Sequence, residues 1–237
     1  MERSSIDRLV ADNVAYIRSE MSEACHRAGR SANSVQLLAV TKTVSPEKIN
    51  AAIQCGINQI GENRVQEYLR KRDDLLLDGV RTHLIGHLQT NKVRQIVGQV
   101  DMIESVDSLR LAKAVSDRSD ALNIITPILV EVNIGGEAAK AGVEPEKLEG
   151  LLHELSELSG IKVQGLMTIP PILHTEHEKR EIFSKMYQLF VDIKGKKIDN
   201  IDMQELSMGM SGDFREAILE GATIVRIGSA LFGERQY

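Results

Sequence analysis

A parallel (β/α)8 TIM barrel with an additional N-terminal helix is the fold this sequence predicts, on three observations. Strand-like and helix-like segments alternate along most of the 237 residues, which implies parallel pairing with right-handed crossovers. Eight strand candidates recur roughly 27 residues apart, in line with one unit of an eight-fold barrel. Aromatic residues make up only 3% and Trp is absent, so the core must be built from Val, Ile, Leu, Ala and Met, as suits a parallel sheet covered by helices.

The elements follow in order. Ile6, Leu9, Val10, Val14, Ile17 and Met21 recur at helical spacing and predict an amphipathic helix over 6–28. "VQLLAVTKT" (35–43) is the first strand, and "SPEKINAAIQCG" the helix after it. Ser45 suits the N-cap, Pro46 the first helical position and Gly56 the stop. "NQIGENR" leads into "VQEYLRKRDDLLL", "THLIGHL" into "NKVRQIVGQ", and "DMIESV" into "DSLRLAKAVSDRSDAL". "PILVEVNIGG" leads into "PEKLEGLLHELSEL", "KVQGLMTIPP" into "EHEKREIFSKMYQLFVDIK", and "MQELSMGMS" into "DFREAILEG". The eighth strand, "TIVRIGSALFG", has no helix pattern after it. The N-terminal stretch 1–30 is therefore expected to pack on the barrel and cover its seam, with 1–237 forming one domain. A doubly wound open sheet would need an edge strand and usually a Gly-rich first turn, and "TKTVSPEK" is not one.

Composition excludes several function classes. The net charge is −5 with both signs interspersed, and no basic block marks a nucleic-acid or membrane surface. Cys25 and Cys55 form neither a metal spacing nor a disulfide framework. Cys55, on a helix face with Ile49, Ala52 and Ile53, reads as a small core residue. "MERSSIDRLVADN" lacks an apolar signal-peptide core and no apolar run spans a bilayer, so a cytoplasmic protein is expected. His174 and His177 have a metal-compatible spacing without a third ligand, and read as a solvated helix start. "GGEAAKAG", with Lys140, suits either a lid or a plain flexible loop.

Barrel sites form at the C-terminal ends of the strands, and the unusual residues collect there. The first strand ends in Lys42, the second in Glu62-Asn63, the third in His87 and Gln89, and the sixth in Met167-Thr168. The seventh ends in "SMGMSGD" (207–213), and the eighth carries Arg226 before Gly228-Ser229. Glycines let the backbone approach an anion, and exposed amides with Ser hydroxyls hold phosphate. Either loop alone is an ordinary strand-to-helix turn. Together, after the seventh and eighth strands and beside a lysine on the neighbouring first strand, they predict a phosphate pocket. An amine must be neutral to attack a carbonyl, and a partly desolvated place near cationic Arg226 favours that form. The combination fits a Schiff base between Lys42 and a phosphorylated aldehyde, either pyridoxal 5′-phosphate (PLP) or a sugar phosphate of the class I aldolase type.

Eight motifs in matching order, "LLAVTKT", "GENRVQE", "HLIGHLQTNK", "IESVDS", "VEVNIGGEAAKAGV", "GLMTIPP", "LSMGMSGDF" and "VRIGSALFG", closely resemble the pyridoxal phosphate homeostasis protein family. These are PLP-binding barrels related to the N-terminal domain of alanine racemase, and the resemblance covers about 35–233. Ser229 stands where Thr is more usual, and "SGDF" is a mild variation. The resemblance implies a fold type III-like barrel without the C-terminal β domain, with Lys42 as the Schiff-base lysine. It further implies that Ser211, the Ser207–Gly212 backbone including Gly209 and Gly212, Gly228 and Ser229 hold the phosphate. By the same resemblance, Arg226 is expected to face the pyridine nitrogen, and Asn63, His87 and Met167 to line the ring.

An arginine cannot accept the ring proton, which makes the ring a poorer electron sink. The related racemases share that arginine but add a β domain and a tyrosine base. Here the chain ends at Tyr237, a few residues past the barrel. The expectation is thus a monomeric carrier that holds, buffers or delivers PLP, possible recipients being apo PLP-enzymes, without robust turnover. The rivals are a small PLP-dependent racemase or lyase, and an aldolase-like barrel.

Overall fold

Apolar residues at helical spacing turn one stripe of the first helix inward, and the β/α alternation does the rest. In the computed structural model, which describes residues 5–137 and 141–233, the elements run in the expected order. They are α1 (Ser5–Arg27), β1 (Gln36–Val40), α2 (Pro46–Gln54), β2 (Gln59–Glu62), α3 (Val65–Lys71), β3 (Arg81–Leu84), α4 (Val93–Ile96), β4 (Met102–Val106) and α5 (Leu109–Ala121). There follow β5 (Thr126–Glu131), α6 (Pro145–Ser156), β6 (Ile161–Met167), α7 (Glu176–Lys196), β7 (Ile201–Ser207), α8 (Phe214–Leu219), β8 (Ile224–Ile227) and α9 (Ser229–Phe232). The strands close in sequence order into one parallel barrel. β1 pairs with β8 through Gln36–Ile224 to Ala39–Ile227, which sets the two ends of the barrel chain side by side.

Local chemistry sets the helix ends. Pro46 and Pro145 open α2 and α6, where a missing N–H is no loss. Thr175 and Glu178 form a reciprocal capping box on α7. α3 is shorter than the 65–77 pattern predicts and continues as a 3₁₀ turn at Arg72–Asp74. The pattern over 91–99 likewise splits into a 3₁₀ turn and the single-turn α4. A short α9 does follow the eighth strand, contrary to expectation. α1 packs against α2, α8 and α9, across the β8–β1 seam, and buries Val10, Val14, Ile17, Met21, Ala24 and Cys25 there.

The main core lies between the helices and the outer face of the barrel, with Ile49, Ile60, Ile103, Leu148, Leu152 and Phe183 fully buried. Inside the barrel the apolar filling is small. It consists of Leu38, Val40, Ile85 and Ile224 on one side, and of Met102, Leu129 and Met167 on the other. The remaining interior is polar, with His83, Glu104, Glu131, Ser207 and Arg226 all buried. Gly165 makes the bulge where the β6 register slips against both neighbours. Its φ is +151°, and a Cβ there would lie 1.8 Å from the Glu205 carbonyl oxygen. Among the described residues no helix is long and apolar enough to cross a membrane.

Candidate functional site

The C-terminal ends of β1, β2, β7 and β8 converge on one cavity of about 260 Å³. Its polar lining is Lys42, Asn63, Ser211, Gly212, Arg226, Gly228 and Ser229, and its apolar walls are Val40, Ile85, Ile169 and Met210. Seven residues singled out from strand ends thus meet in one place, although they span the chain from 42 to 229. The walls were not singled out. Val40 and Ile85 lie on apolar strand ends and carry no chemical signal of their own, whereas Ile169 and Met210 belong to loops.

Lys42 sits in the turn just after β1, half-buried. Gly228 has no Cβ, and adding one would bring it to 3.3 Å from the Val40 Cβ. That close approach joins the phosphate-loop candidate to the Lys42 turn. On the far side, the Ser211 hydroxyl accepts from the backbone N–H groups of Gly228 and Ala230, both at 3.3 Å. Two amides and a hydroxyl therefore gather at one point, in the manner of an anion cradle. The Asp213 carboxylate accepts from the Met210 N–H at 2.5 Å and pins the loop between β7 and α8. Gly212 is exposed, and a side chain added there would meet nothing within 4 Å. Asn63 Oδ1 is buried with no hydrogen-bond partner, an acceptor directed at no protein group.

Arg226 is held from beneath. Its Nη1 donates to Ser207 Oγ and its Nη2 to the Thr168 carbonyl, each at 2.7 Å. Ser207 in turn donates to Glu104 at 2.6 Å, and Glu104 lies 2.6 Å from His83 Nδ1. Burial pushes the Glu104 carboxyl up, but His83, Arg226 and Ser207 together outweigh it and leave the group below its ordinary value. Burial lowers Arg226, opposed by Glu104, Glu131 and Asp213. Glu131 is pushed up to about 7, first by burial and then by Asp107.

Four sequence assignments fall outside the lining. Met167 is fully buried against Met102 and Leu129 within the barrel, so it packs the interior and does not border the cavity. Ser207 lies one layer down and acts on Arg226. Gly209 has φ +91°, and a Cβ there would strike the Ala217 side chain, so it serves helix packing while its carbonyl accepts from the Arg226 N–H. The His87 side chain is 60% exposed and lies 3.8 Å from Asp107. It borders a separate groove with Gln89 and Arg110. Gly86 packs on Asn63, where a Cβ would lie 2.3 Å from the Asn63 carbonyl oxygen. Sequence reading missed the interior groups His83, Glu104 and Glu131 and the buried Lys71. The available signal was an isolated charge inside an otherwise apolar strand, as in "DMIESV".

A larger cleft of about 470 Å³ opens at the opposite, N-terminal face, lined by Arg18, Gln36 and Gln59 among others. Size does not favour it chemically. The Arg18 guanidinium is taken up by the Cys55 and Gly56 carbonyls, and that face of a barrel carries stability more than chemistry. Among the described residues no group of His, Cys, Asp and Glu is arranged to hold a metal. His174 merely precedes Thr175, the N-cap of α7, and Cys55 is a free thiol packed on the core. Lys140 and Tyr237 lie outside the described residues.

Known proteins resemble this chain along nearly its whole length. The family model for the alanine racemase N-terminal domain matches residues 14–236. A pyridoxal phosphate homeostasis protein of Aquifex aeolicus is 46% identical over 95% of this chain and 98% of its own. One from Escherichia coli is 37% identical over 96% of this chain and 97% of its own. Among solved structures, PipY of Synechococcus elongatus with PLP bound superposes with a TM-score of 0.84 at 34% identity, covering 94% of this chain and 100% of PipY.

Proposed function

Because the chain belongs to the pyridoxal phosphate homeostasis protein family, we propose that it binds PLP reversibly in the β1–β8 cavity and serves to hold, buffer and deliver it. The observation that carries this is the meeting of an amine, a hydroxyl-and-amide cradle and a buried guanidinium in one cavity. The residues fit the group. When bound, PLP offers an aldehyde to an amine, a phosphate dianion to donors, and a ring nitrogen and ring hydroxyl to polar side chains.

Lys42 presents its amine to the aldehyde. The Ser211 and Ser229 hydroxyls, with the backbone of Gly212, Gly228 and Ala230, supply donors to the phosphate. The unpartnered Asn63 Oδ1 offers an acceptor to a ring substituent. Arg226, fixed by Ser207 and Thr168, can only donate, so it orients a ring nitrogen without receiving its proton.

We propose further that turnover is not robust. Racemisation requires proton exchange on both faces of a bound amino acid by groups within hydrogen-bond reach. Among the described lining residues, Lys42 supplies the one amine, and no His, Tyr, Asp or Glu faces it across the cavity. We propose that this carrier is a monomer. We place it in the cytoplasm, with apo PLP-enzymes as recipients.

The test is the visible spectrum of the protein titrated with PLP, then borohydride reduction and mass mapping, with sizing of the loaded protein. The expected result is a coloured monomer with the pyridoxyl label on Lys42. A label on another lysine with Lys42 unmodified would refute the assignment. Failure to colour, with a sugar phosphate trapped at Lys42, would install the aldolase-like reading.

A further inference from the structure

The turn that carries Lys42 is costly for the chain to form. Thr43, the next residue, has φ +60°, a left-handed conformation that a β-branched residue rarely adopts. Something must hold it, and Lys71, Glu62 and Glu67 do so. Lys71, at the end of α3, is 7% exposed. Its Nζ donates to the Thr41 carbonyl at 2.8 Å, and lies 2.6 Å from Glu62 Oε1 and 3.1 Å from Glu67 Oε1. The Thr41 hydroxyl donates to Glu62 as well. Glu67 Oε1 accepts from the Thr43 backbone N–H at 2.5 Å.

Lys71 thus touches the peptide before Lys42 directly and the peptide after it through Glu67. Two peptide planes fixed on either side of one residue fix the direction in which its side chain leaves the backbone. Burying an ammonium is expensive, and an apolar residue of similar length would fill that side of α3 at no such penalty. The phosphate cradle does not take part, since it is built from the β7 and β8 loops.

We propose that Lys71 and Glu67 are positioning residues for Lys42, a clamp that holds the strained turn so that the Lys42 amine faces a bound aldehyde. The proposal rests on the assignment of Lys42 as the PLP amine. It separates two parts of the site, with the clamp governing how readily Lys42 reacts and the loops after β7 and β8 governing how tightly the phosphate is held.

The test compares the wild type with Lys71→Met, Glu67→Ala and Glu67→Gln, after circular dichroism has selected the variants that fold. Two quantities are read. One is the rate at which PLP becomes trapped on Lys42 by borohydride. The other is the affinity for pyridoxine 5′-phosphate, which has the ring and phosphate but no aldehyde. Lys71→Met and Glu67→Ala are expected to slow trapping at Lys42 at least about tenfold, the effect of a misdirected reacting group. Their affinity for pyridoxine 5′-phosphate is expected to stay within about twofold of wild type. Glu67→Gln keeps an acceptor for the Thr43 N–H and is expected to restore fast trapping. Trapping of Lys71→Met or Glu67→Ala at the wild-type rate would overturn the clamp, as would a parallel loss of pyridoxine 5′-phosphate binding. A wild-type protein that is not labelled on Lys42 would instead overturn the functional assignment beneath it.

Discussion

Ser211 and Ser229 differ in how the protein already uses them. The Ser211 hydroxyl is the point at which two amides of the β8 loop converge, whereas Ser229 is exposed. Each substitution to Ala is expected to weaken PLP binding by about 1–3 kcal/mol, the range for a lost hydrogen bond to a charged group. Ser211→Ala is expected to have the larger effect, and fluorescence titration of the two variants checks this. If both titrate like the wild type, the phosphate is held elsewhere. Glu131 makes a different prediction. Its folded pKa of about 7 lies above the ordinary 4.5, so the folded state binds the extra proton. Its contribution to stability is present below pH 4.5 and is lost as pH rises from there to about 7. Up to about 3 kcal/mol is at stake, at 1.36 kcal/mol per unit. Glu131→Gln is expected to flatten that fall, and urea unfolding at pH 5 and pH 8 measures it. An unchanged difference between the two pH values would show that Glu131 does not carry the proton.

At the scale of elements, the strand ends were legible because apolar runs stop abruptly at polar or glycine residues. The register of the strands was not. Nothing in "KVQGLMTIPP" says that the register of β6 shifts at Gly165, which is visible only when β5 and β7 are in place. The glycine is required there by its φ of +151° and by the Glu205 carbonyl it faces. Gly165→Ala must move backbone rather than a flexible side chain. It is expected to destabilise the fold by more than about 1–3 kcal/mol, the range for a residue held in a disfavoured backbone region. A thermal melt close to the wild-type midpoint would contradict the bulge. The short α9 escaped notice for a related reason, since four residues make too brief a pattern to show a period.

At the scale of the whole molecule, barrel closure places β8 beside β1 and so brings Arg226, Gly228 and Ser229 next to Lys42. The same closure leaves the buried chain His83–Glu104–Ser207–Arg226 running through the interior beneath the cavity. The proposed carrier would hold a phosphorylated aldehyde between Lys42 and the loops after β7 and β8. The PLP-loaded protein, incubated with several amino acids in heavy water, is therefore expected to show negligible racemisation. It is also expected to restore activity to an apo PLP-enzyme mixed with it. Racemisation at ordinary enzymatic rates, abolished by Lys42→Ala, would replace the carrier with an enzyme.

The amino-acid sequence by itself determined the barrel, the order of its elements, and the positions of Lys42 and of the two glycine-and-serine loops at strand ends. Those features are local, and each is written in a run of a few residues by hydrophobic period, helix caps or a polar strand end. Tertiary structure alone decided which strand-end residues share a cavity. Asn63 lines the cavity, whereas the His87 side chain is 60% exposed and borders a separate groove. It also decided that Met167 packs the interior, and that Lys71 is buried against the Lys42 turn. These outcomes depend on which side chains face each other across the closed barrel, and facing is set by register, twist and packing summed over the whole chain.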